Sequence, residues 1–264
     1  MSIDSLRSAV VLHVPHSSTF IPEAVMDQFI VPGDVLKSEL VRMTDHLTLE
    51  LFGGVEHPGI VIAAEVSRLV VDVERFPDDA DEPMAAKGMG AVYNRLADGG
   101  ALRKALSAIE RQRLLSDYYE PHHARFSAAV QNVLGAHGCC LIVDAHSFPS
   151  RPLPYEFDQQ LSRPEICIGT DEFHTPVSVR DAFVRSFEEQ GFKVEIDRPF
   201  SGAIVPLGTY KQDRRVMSIM VEVSRALYLD EESGTASASF NQASNRVKTA
   251  VRMASGFVLQ EILN

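Results

Sequence analysis

A histidine stands directly after the longest buried strand that the sequence predicts. The run from Cys139 to Asp144 is almost entirely apolar, which predicts a strand covered on both faces, and it breaks off into Asp144-Ala-His146-Ser147. In open α/β sheets the carboxyl ends of strands face the ligand crevice. A histidine with an acidic neighbour two residues before it at such an edge is a candidate metal ligand. The alternative is a histidine that only hydrogen-bonds a loop.

Two more polar residues accompany predicted strands. The apolar run Ala9–Val14 predicts a first strand that delivers His16 to the following loop. Glu222 interrupts the apolar run Val216–Val223, and a lone ionised carboxylate is costly to bury. Glu222 must therefore be protonated, paired or facing a polar cavity. Arg225 is the candidate partner if the role is structural, and a general base in a cleft is the functional alternative.

An arginine follows another predicted strand. Leu69–Val73 is apolar apart from Asp72, and Arg75 comes two residues after it. The planar guanidinium group of an arginine at a strand exit suits the binding of a carboxylate. A surface ion pair with Asp78 or Asp79 is the alternative.

The rest of the chain alternates helical and strand patterns. Helical spacing runs from Val35 to Phe52, with Thr44 as a possible cap for a second segment that begins at Asp45; a carboxylate there is often only a favourable charge. Residues 78–100 predict an excursion over the surface that could wall a pocket. The alternation predicts an α/β fold, a three-layer α/β/α sandwich on a mostly parallel sheet. Further helices are predicted over 101–134, 177–190 and 240–263, and further strands over 59–64, 166–170 and 193–196.

Composition excludes several classes of function. The chain has 264 residues, 45% hydrophobic, which suits one large domain or two small ones. A net charge of −11 makes nucleic acid and anionic membranes poor partners. Three cysteines, two of them adjacent within a strand, form no disulfide framework. Without a signal peptide or an apolar run of about 18 residues, a cytoplasmic location is expected. Nothing indicates its oligomeric state.

The usual catalytic signatures are missing from the sequence. It contains no Gly-x-Ser-x-Gly elbow, no phosphate-binding P-loop, no Gly-x-Gly-x-x-Gly turn and no His-Glu-x-x-His helix. Covalent serine catalysis and nucleotide binding therefore lose support. Histidines and carboxylates at the ends of distant strands fit metal-assisted hydrolysis best.

Five short motifs together resemble the N-formylglutamate amidohydrolase family. They follow one another in the family's order and approximate spacing, from about residue 9 to residue 232. The resemblance implies a single domain over residues 1–264 and a mixed, mostly parallel sheet like that of the zinc carboxypeptidases. The motifs are Val14-Pro-His-Ser17, Thr44-Asp45, Ser67-Arg-Leu-Val-Val-Asp-Val-Glu-Arg75, Asp144-Ala-His-Ser147 and Glu222-Val-Ser-Arg-Ala-Leu-Tyr228.

The resemblance also implies a role for individual residues. It implies one divalent metal ion, with zinc expected, and a metal-dependent amidohydrolase that acts on a linear amide of an N-acyl amino acid. Zinc ligands would be His16, Asp45 and His146, and Glu222 would be the general base. For the remaining residues it implies that Arg75, and more weakly Arg68, bind a substrate carboxylate and that His123 supports the site. Asp144 could orient His146 while the strand stays extended.

Two departures from the family pattern bear on the substrate. Glu74 stands where the family has asparagine, and Gly202–Lys211 lacks the Gly-Gly-x-Ile-Thr-Arg-His pattern. The metal chemistry is expected to be intact, whereas the acyl group and the amino acid stay open. A metal-dependent peptidase, a deacylase for another acyl group, and a non-catalytic binding protein on the same fold are the alternatives.

Overall fold

A mixed six-stranded sheet is the centre of the fold. The computed structural model describes residues 9–53 and 59–263; residues 1–8, 54–58 and 264 of the predicted domain lie outside the described part. The strands of this sheet are β1 (Val10–Val14), β2 (Ile60–Ala63), β3 (Cys140–Phe148), β4 (Ile166–Gly169), β5 (Val194–Ile196) and β6 (Val216–Ser224). Within the described part their order is β2-β1-β3-β6-β4-β5, and every neighbouring pair is parallel except β4 with β6. The predicted mixed, mostly parallel sheet is confirmed.

Helices cover the sheet on both faces, as a sheet with two apolar faces requires. The helix Glu120–His137 packs on β1, β2 and β3, and Phe126 from it stacks on the ring of His13 at 4.6 Å. The helices Val177–Glu189 and Phe240–Leu263 pack on each other, and Val177–Glu189 also contacts β4 and β5. The helices are α1 (Gly33–Met43), α2 (Thr48–Leu51), α3 (Ala108–Leu114), α4 (Glu120–His137), α5 (Val177–Glu189) and α6 (Phe240–Leu263).

The helical pattern predicted from Val35 to Phe52 is broken in the structure. Helix α1 ends at Met43 and α2 begins only at Thr48, so Asp45 lies in a connecting turn and does not begin a helix. The residue before α2 is Leu47, whose φ of 61° is left-handed, and Thr44 is the C-cap of α1. Apolar residues continue on both sides of the break, although Leu36 and Met43 pack in one core cluster and Leu51 in another, and this continuity hides the turn from the sequence.

The predicted strand Leu69–Val73 is wrong. These residues are buried, but the segment is a series of turns: Val70 and Val71 both donate their N–H groups to the carbonyl of Ser67. The carbonyls of Leu69 and Val70 accept from the buried guanidinium group of Arg103. Because a side chain satisfies these backbone groups, the segment can be buried without joining a sheet.

Residues 78–107 also differ from the prediction. The surface excursion is partly core, since Met89 and Tyr93 are each 1% exposed, although Met84 does line the cavity described below. The helix predicted from residue 101 begins at Ala108, where Ser107 forms a capping box with Glu110. A π-helical turn, Leu115–Tyr119, joins α3 to α4. Among the described residues, no helix combines the length and apolarity needed to cross a lipid bilayer.

Candidate active site

Three residues far apart in the sequence meet at the carboxyl edge of the sheet. His16 follows β1, Asp45 lies between α1 and α2, and His146 lies near the carboxyl end of β3. One donor atom from each side chain lies within 4.8 Å of the donor atoms of the other two. All three side chains are buried. Asp45 Oδ2 is 3.2 Å from His146 Nδ1 and 3.7 Å from His16 Nδ1. Donor atoms around a tetrahedral zinc ion stand roughly 3.3 Å apart, so these separations fit such an ion.

Asp45 is fixed in place by contacts on three sides. Its backbone N–H donates to the carbonyl of His16 at 2.9 Å, which ties the turn to the end of β1. Its Oδ1 accepts from Arg225 Nη2 at 2.9 Å. Burial would raise the pKa of this carboxyl, but the hydrogen bond from His146, the nearby imidazole of His16 and the charge of Arg225 hold the pKa well below its usual range. Asp45 is therefore a carboxylate with Oδ2 turned toward both imidazoles.

His16 is oriented by a carboxylate that the sequence did not single out. Its Nε2–H donates to Asp72 Oδ1 at 2.9 Å, while the buried Nδ1 makes no hydrogen bond to any described residue. Asp72 is itself held by Arg68 at 2.8 Å and by the hydroxyl of Tyr93 at 2.5 Å. A carboxylate behind an imidazole sets its tautomer and leaves the other nitrogen free to bind a metal.

His146 lies among acidic side chains. Its Nε2 is 3.1 Å from Glu74 Oε2 and 3.2 Å from Asp144 Oδ1. Burial alone would lower the pKa of His146, but the charges of Glu74 and Asp144 raise the pKa well above its ordinary value. Glu74 thus faces the histidines rather than the guanidinium group beside it in sequence. An excess of buried carboxylates around two imidazoles favours a cation at this place.

A hydrogen-bonded chain extends from Asp144 away from the site. Asp144 Oδ1 accepts from His13 Nδ1 at 2.8 Å, and His13 Nε2 is 2.9 Å from His122 Nε2. His13, Glu74 and Asp144 also form a second group with metal-ligand spacing. His13 is thus linked to His146 through Asp144, which lies within 3.2 Å of both imidazoles.

The buried His122 predicts a loss of stability in acid. Burial, with the charges of His13 and His123, lowers the pKa of His122 to about 2. A histidine with a depressed pKa stabilises the fold fully above its unfolded pKa of ~6.5, and that contribution is lost progressively as the pH falls from there toward the lower, folded value. We expect the thermal midpoint of metal-free protein to fall more steeply from pH ~7 to pH ~4 than that of His122→Gln, which cannot titrate but can hydrogen-bond His13. Similar midpoints at pH ~7 control for the substitution, and equal slopes would contradict the prediction.

Glu222 lies on β6 directly opposite His146 of β3 in the parallel register. It is 7% exposed, and its Oε2 has no hydrogen-bond partner among the described residues. Burial raises the pKa of Glu222 to about 8; His146 opposes the shift, and Asp45 and Glu74 add to it. Arg225 is not its partner: it donates to Asp45 and to the carbonyl of Arg42. Glu222 therefore lines a cavity, and it has no ion-pair partner among the described residues.

The two candidate carboxylate-binding arginines differ in how they are engaged. Arg68 is in a close ion pair with Asp72, whereas Arg75 has carboxylates only at 3.8 Å, from Asp72 and from Glu82, and its Nε has no described hydrogen-bond partner. The alternative, a surface pair of Arg75 with Asp78 or Asp79, is absent among the described residues, where Asp79 pairs with Arg111. Arg75 is thus the freer cation, and Arg68 orients Asp72.

His123 lines the same cavity, and His122 faces away toward His13. The ring of His123 donates to the carbonyl of Val73 at 2.8 Å, and burial lowers its pKa to about 4, so it is neutral near pH 7. His123 thus contacts the loop that carries Glu74 and Arg75, and this position is compatible with a supporting role at the site.

Sequence reasoning missed Asp72, Glu74 and His13 as parts of the site. Asp72 and Glu74 both lie inside the Ser67–Arg75 motif, so the motif itself was the signal for them. His13 lies inside the apolar run of the first strand and is buried, and it hydrogen-bonds Asp144, 131 residues away in sequence. No local pattern indicates that contact.

Comparisons with known proteins agree with the motifs. The N-formylglutamate deformylase of Pseudomonas aeruginosa is 27% identical over 237 residues, which cover 86% of this chain and 84% of that protein. The N-formylglutamate deformylase of Pseudomonas putida is 27% identical over 238 residues, covering 88% and 85%. The crystal structure of N-formylglutamate amidohydrolase from Ralstonia eutropha JMP134 superposes with a TM-score of 0.79 over 96% of this chain and 94% of that one, at 20% identity.

The superposition establishes the fold, and the family itself is established by sequence. The sequence profile of N-formylglutamate amidohydrolase matches residues 8–229, which include all the residues of the site described above. The resemblance inferred from the five motifs is confirmed: this chain belongs to the N-formylglutamate amidohydrolase family.

Proposed function

We propose that this protein is a zinc-dependent amidohydrolase that cleaves the amide bond of an N-acyl amino acid such as N-formylglutamate. The products would be the free amino acid and a small carboxylic acid. The observation that carries the proposal is the meeting of His16, Asp45 and His146 with donor atoms at the spacing of zinc ligands. The family, and relatives named N-formylglutamate deformylase, support the same chemistry.

The donor set suits a catalytic zinc. Two imidazoles and one carboxylate are a common three-ligand set in zinc hydrolases. The buried Nδ1 of His16 has no described hydrogen-bond partner, and its lone pair is available to coordinate a cation. When bound, such an ion supplies Lewis acidity, which polarises a carbonyl and lowers the pKa of a water molecule to about 7. Asp72 and Asp144 orient the two imidazoles from behind.

The chain's own residues supply the rest of the chemistry. Glu222 would take a proton from the attacking water and deliver it to the amide nitrogen as the C–N bond breaks. Its burial and raised pKa suit a group that must carry that proton between the two steps. Arg75 would hold the substrate carboxylate through paired N–H···O bonds, which fixes the scissile carbonyl.

The direct test measures metal content and hydrolysis on the same purified protein. We expect roughly one zinc per chain, release of free amino acid from N-formylglutamate or another N-acyl amino acid, loss of activity with a chelator, and its recovery on adding zinc. Full turnover by metal-free protein would overturn the metal mechanism. Zinc binding without turnover of any amide would instead favour a non-catalytic binding protein.

A further inference from the structure

The cavity at the site extends well beyond the candidate metal ligands. Its volume is about 520 Å³, within the range of ~300–1,000 Å³ typical of pockets that enclose drug-sized molecules. A formyl group and a short side chain would leave much of that space unfilled. The walls of the unfilled part therefore indicate what else the substrate carries.

One wall of the cavity is apolar. Phe148 comes two residues after His146 on β3, and Met220 two residues before Glu222 on β6, so both share the face of the sheet that bears the catalytic candidates. Phe200 and Ile204, from the irregular segment before β6, continue this wall. A ligand in contact with it would gain from burying apolar surface.

The rim is apolar as well. Phe76, Phe157 and Leu207 all line the cavity, and they are 40%, 76% and 50% exposed. Three large apolar side chains kept in water around one opening are more than the scattered exposure of a normal surface, and such patches mark binding grooves.

Among the described side chains that line the cavity, one positively charged group is available to a ligand. Arg68 pairs with Asp72 at 2.8 Å and Arg225 with Asp45 at 2.9 Å, while Arg42 pairs with Glu39 at 2.8 Å. Of the described arginines that line the cavity, this leaves Arg75 as the one with carboxylates no nearer than 3.8 Å. The carboxyl groups lining the cavity also outnumber the guanidinium groups. A second substrate carboxylate would be left against apolar or negative surface, which is unfavourable.

We propose that the site prefers an N-acyl amino acid with one carboxylate, held by Arg75, and one bulky apolar group, packed on the wall of Phe148, Phe200, Ile204 and Met220, over the dicarboxylate N-formylglutamate. This inference rests on the proposed amidohydrolase function and names its substrate class. The apolar group belongs either to the amino acid side chain or to the acyl group, and the two sources share the same recognition chemistry.

The test compares kcat/KM of the zinc-loaded protein on four amides. N-formyl-L-phenylalanine carries the apolar group on the side chain, N-phenylacetylglycine carries it on the acyl group, and N-formyl-L-glutamine matches N-formyl-L-glutamate without the second charge. We expect at least one apolar substrate to exceed N-formyl-L-glutamate by ~10-fold or more, as burial of a large side chain allows. An equal or higher kcat/KM on N-formyl-L-glutamate overturns the preference but leaves the amidohydrolase function standing. No turnover of any of the four amides overturns both.

A substitution at the rim tests the same wall independently. Leu207→Lys places a cation beside the opening at a half-exposed position that the fold tolerates, and Ile109→Lys is its matched control because Ile109 is 82% exposed on α3, away from the cavity. We expect Leu207→Lys to shift the ratio of kcat/KM toward N-formyl-L-glutamate by ~10-fold, and the control to leave the ratio unchanged. An unchanged ratio in Leu207→Lys would count against the apolar wall as a substrate contact.

Discussion

Glu222→Gln is expected to bind as much zinc at the proposed site as the wild type and to lose about a thousandfold in kcat, the effect expected when a general base is removed. Glutamine has nearly the same shape as glutamate but cannot accept the proton of the attacking water. Glu222 is not among the three candidate ligands, so metal content should stay at that of the wild type. The measurement pairs elemental analysis for zinc with steady-state kinetics on the best amide substrate.

The matched control for this substitution is Glu50→Gln, which makes the same chemical change on an exposed residue of α2. It should behave as the wild type in both measurements. A Glu222→Gln protein with near-normal kcat would show that another group is the base. Loss of zinc from that variant would instead place Glu222 among the ligands.

His146→Ala is expected to lose the metal ion and, with it, nearly all activity. The substitution removes one of two imidazoles from a three-residue donor set, and two remaining ligands bind zinc too weakly to retain it through purification. It also removes the imidazole nearest to Glu74 and one of the two beside Asp144, which keeps its hydrogen bond from His13. Zinc content and kcat are measured on the same preparation, after circular dichroism has shown that the fold is retained.

His137→Ala is the control for the loss of a histidine. His137 is the last residue of α4, at the amino-terminal edge of β3 and away from the site. This variant should keep both zinc and activity. If His146→Ala held zinc as tightly as the wild type, the proposed ligand set would be wrong.

Much of the site could be predicted because its residues follow strands with strong patterns. The apolar runs before His146 and around Glu222 predict β3 and β6, and parallel strands bring their carboxyl ends to one edge of the sheet. His16 is reached in the same way from β1. The placement of these residues therefore needs only periodicity and one rule of topology.

The parts that could not be predicted depend on contacts across long stretches of chain. Asp45 is turned inward by a backbone hydrogen bond to His16 and by Arg225, 180 residues away in sequence. Asp72 was hidden in an apolar run that looks like a strand, because a buried Arg103 satisfies the backbone carbonyls of Leu69 and Val70. Glu74 could be placed near Arg75 by sequence, but not beside His146.

The division of the site between sheet and loop bears on how such an enzyme can diversify. His146 and Glu222 are carried on two hydrogen-bonded strands, whereas Phe200, Ile204 and Leu207 lie in a segment without regular secondary structure. Insertions and replacements in such a segment disturb few backbone hydrogen bonds. Laboratory evolution directed at residues 199–207 should therefore change the range of accepted amides while His146 and Glu222 keep their positions on the sheet. This segment is the preferred target for engineering new deacylases.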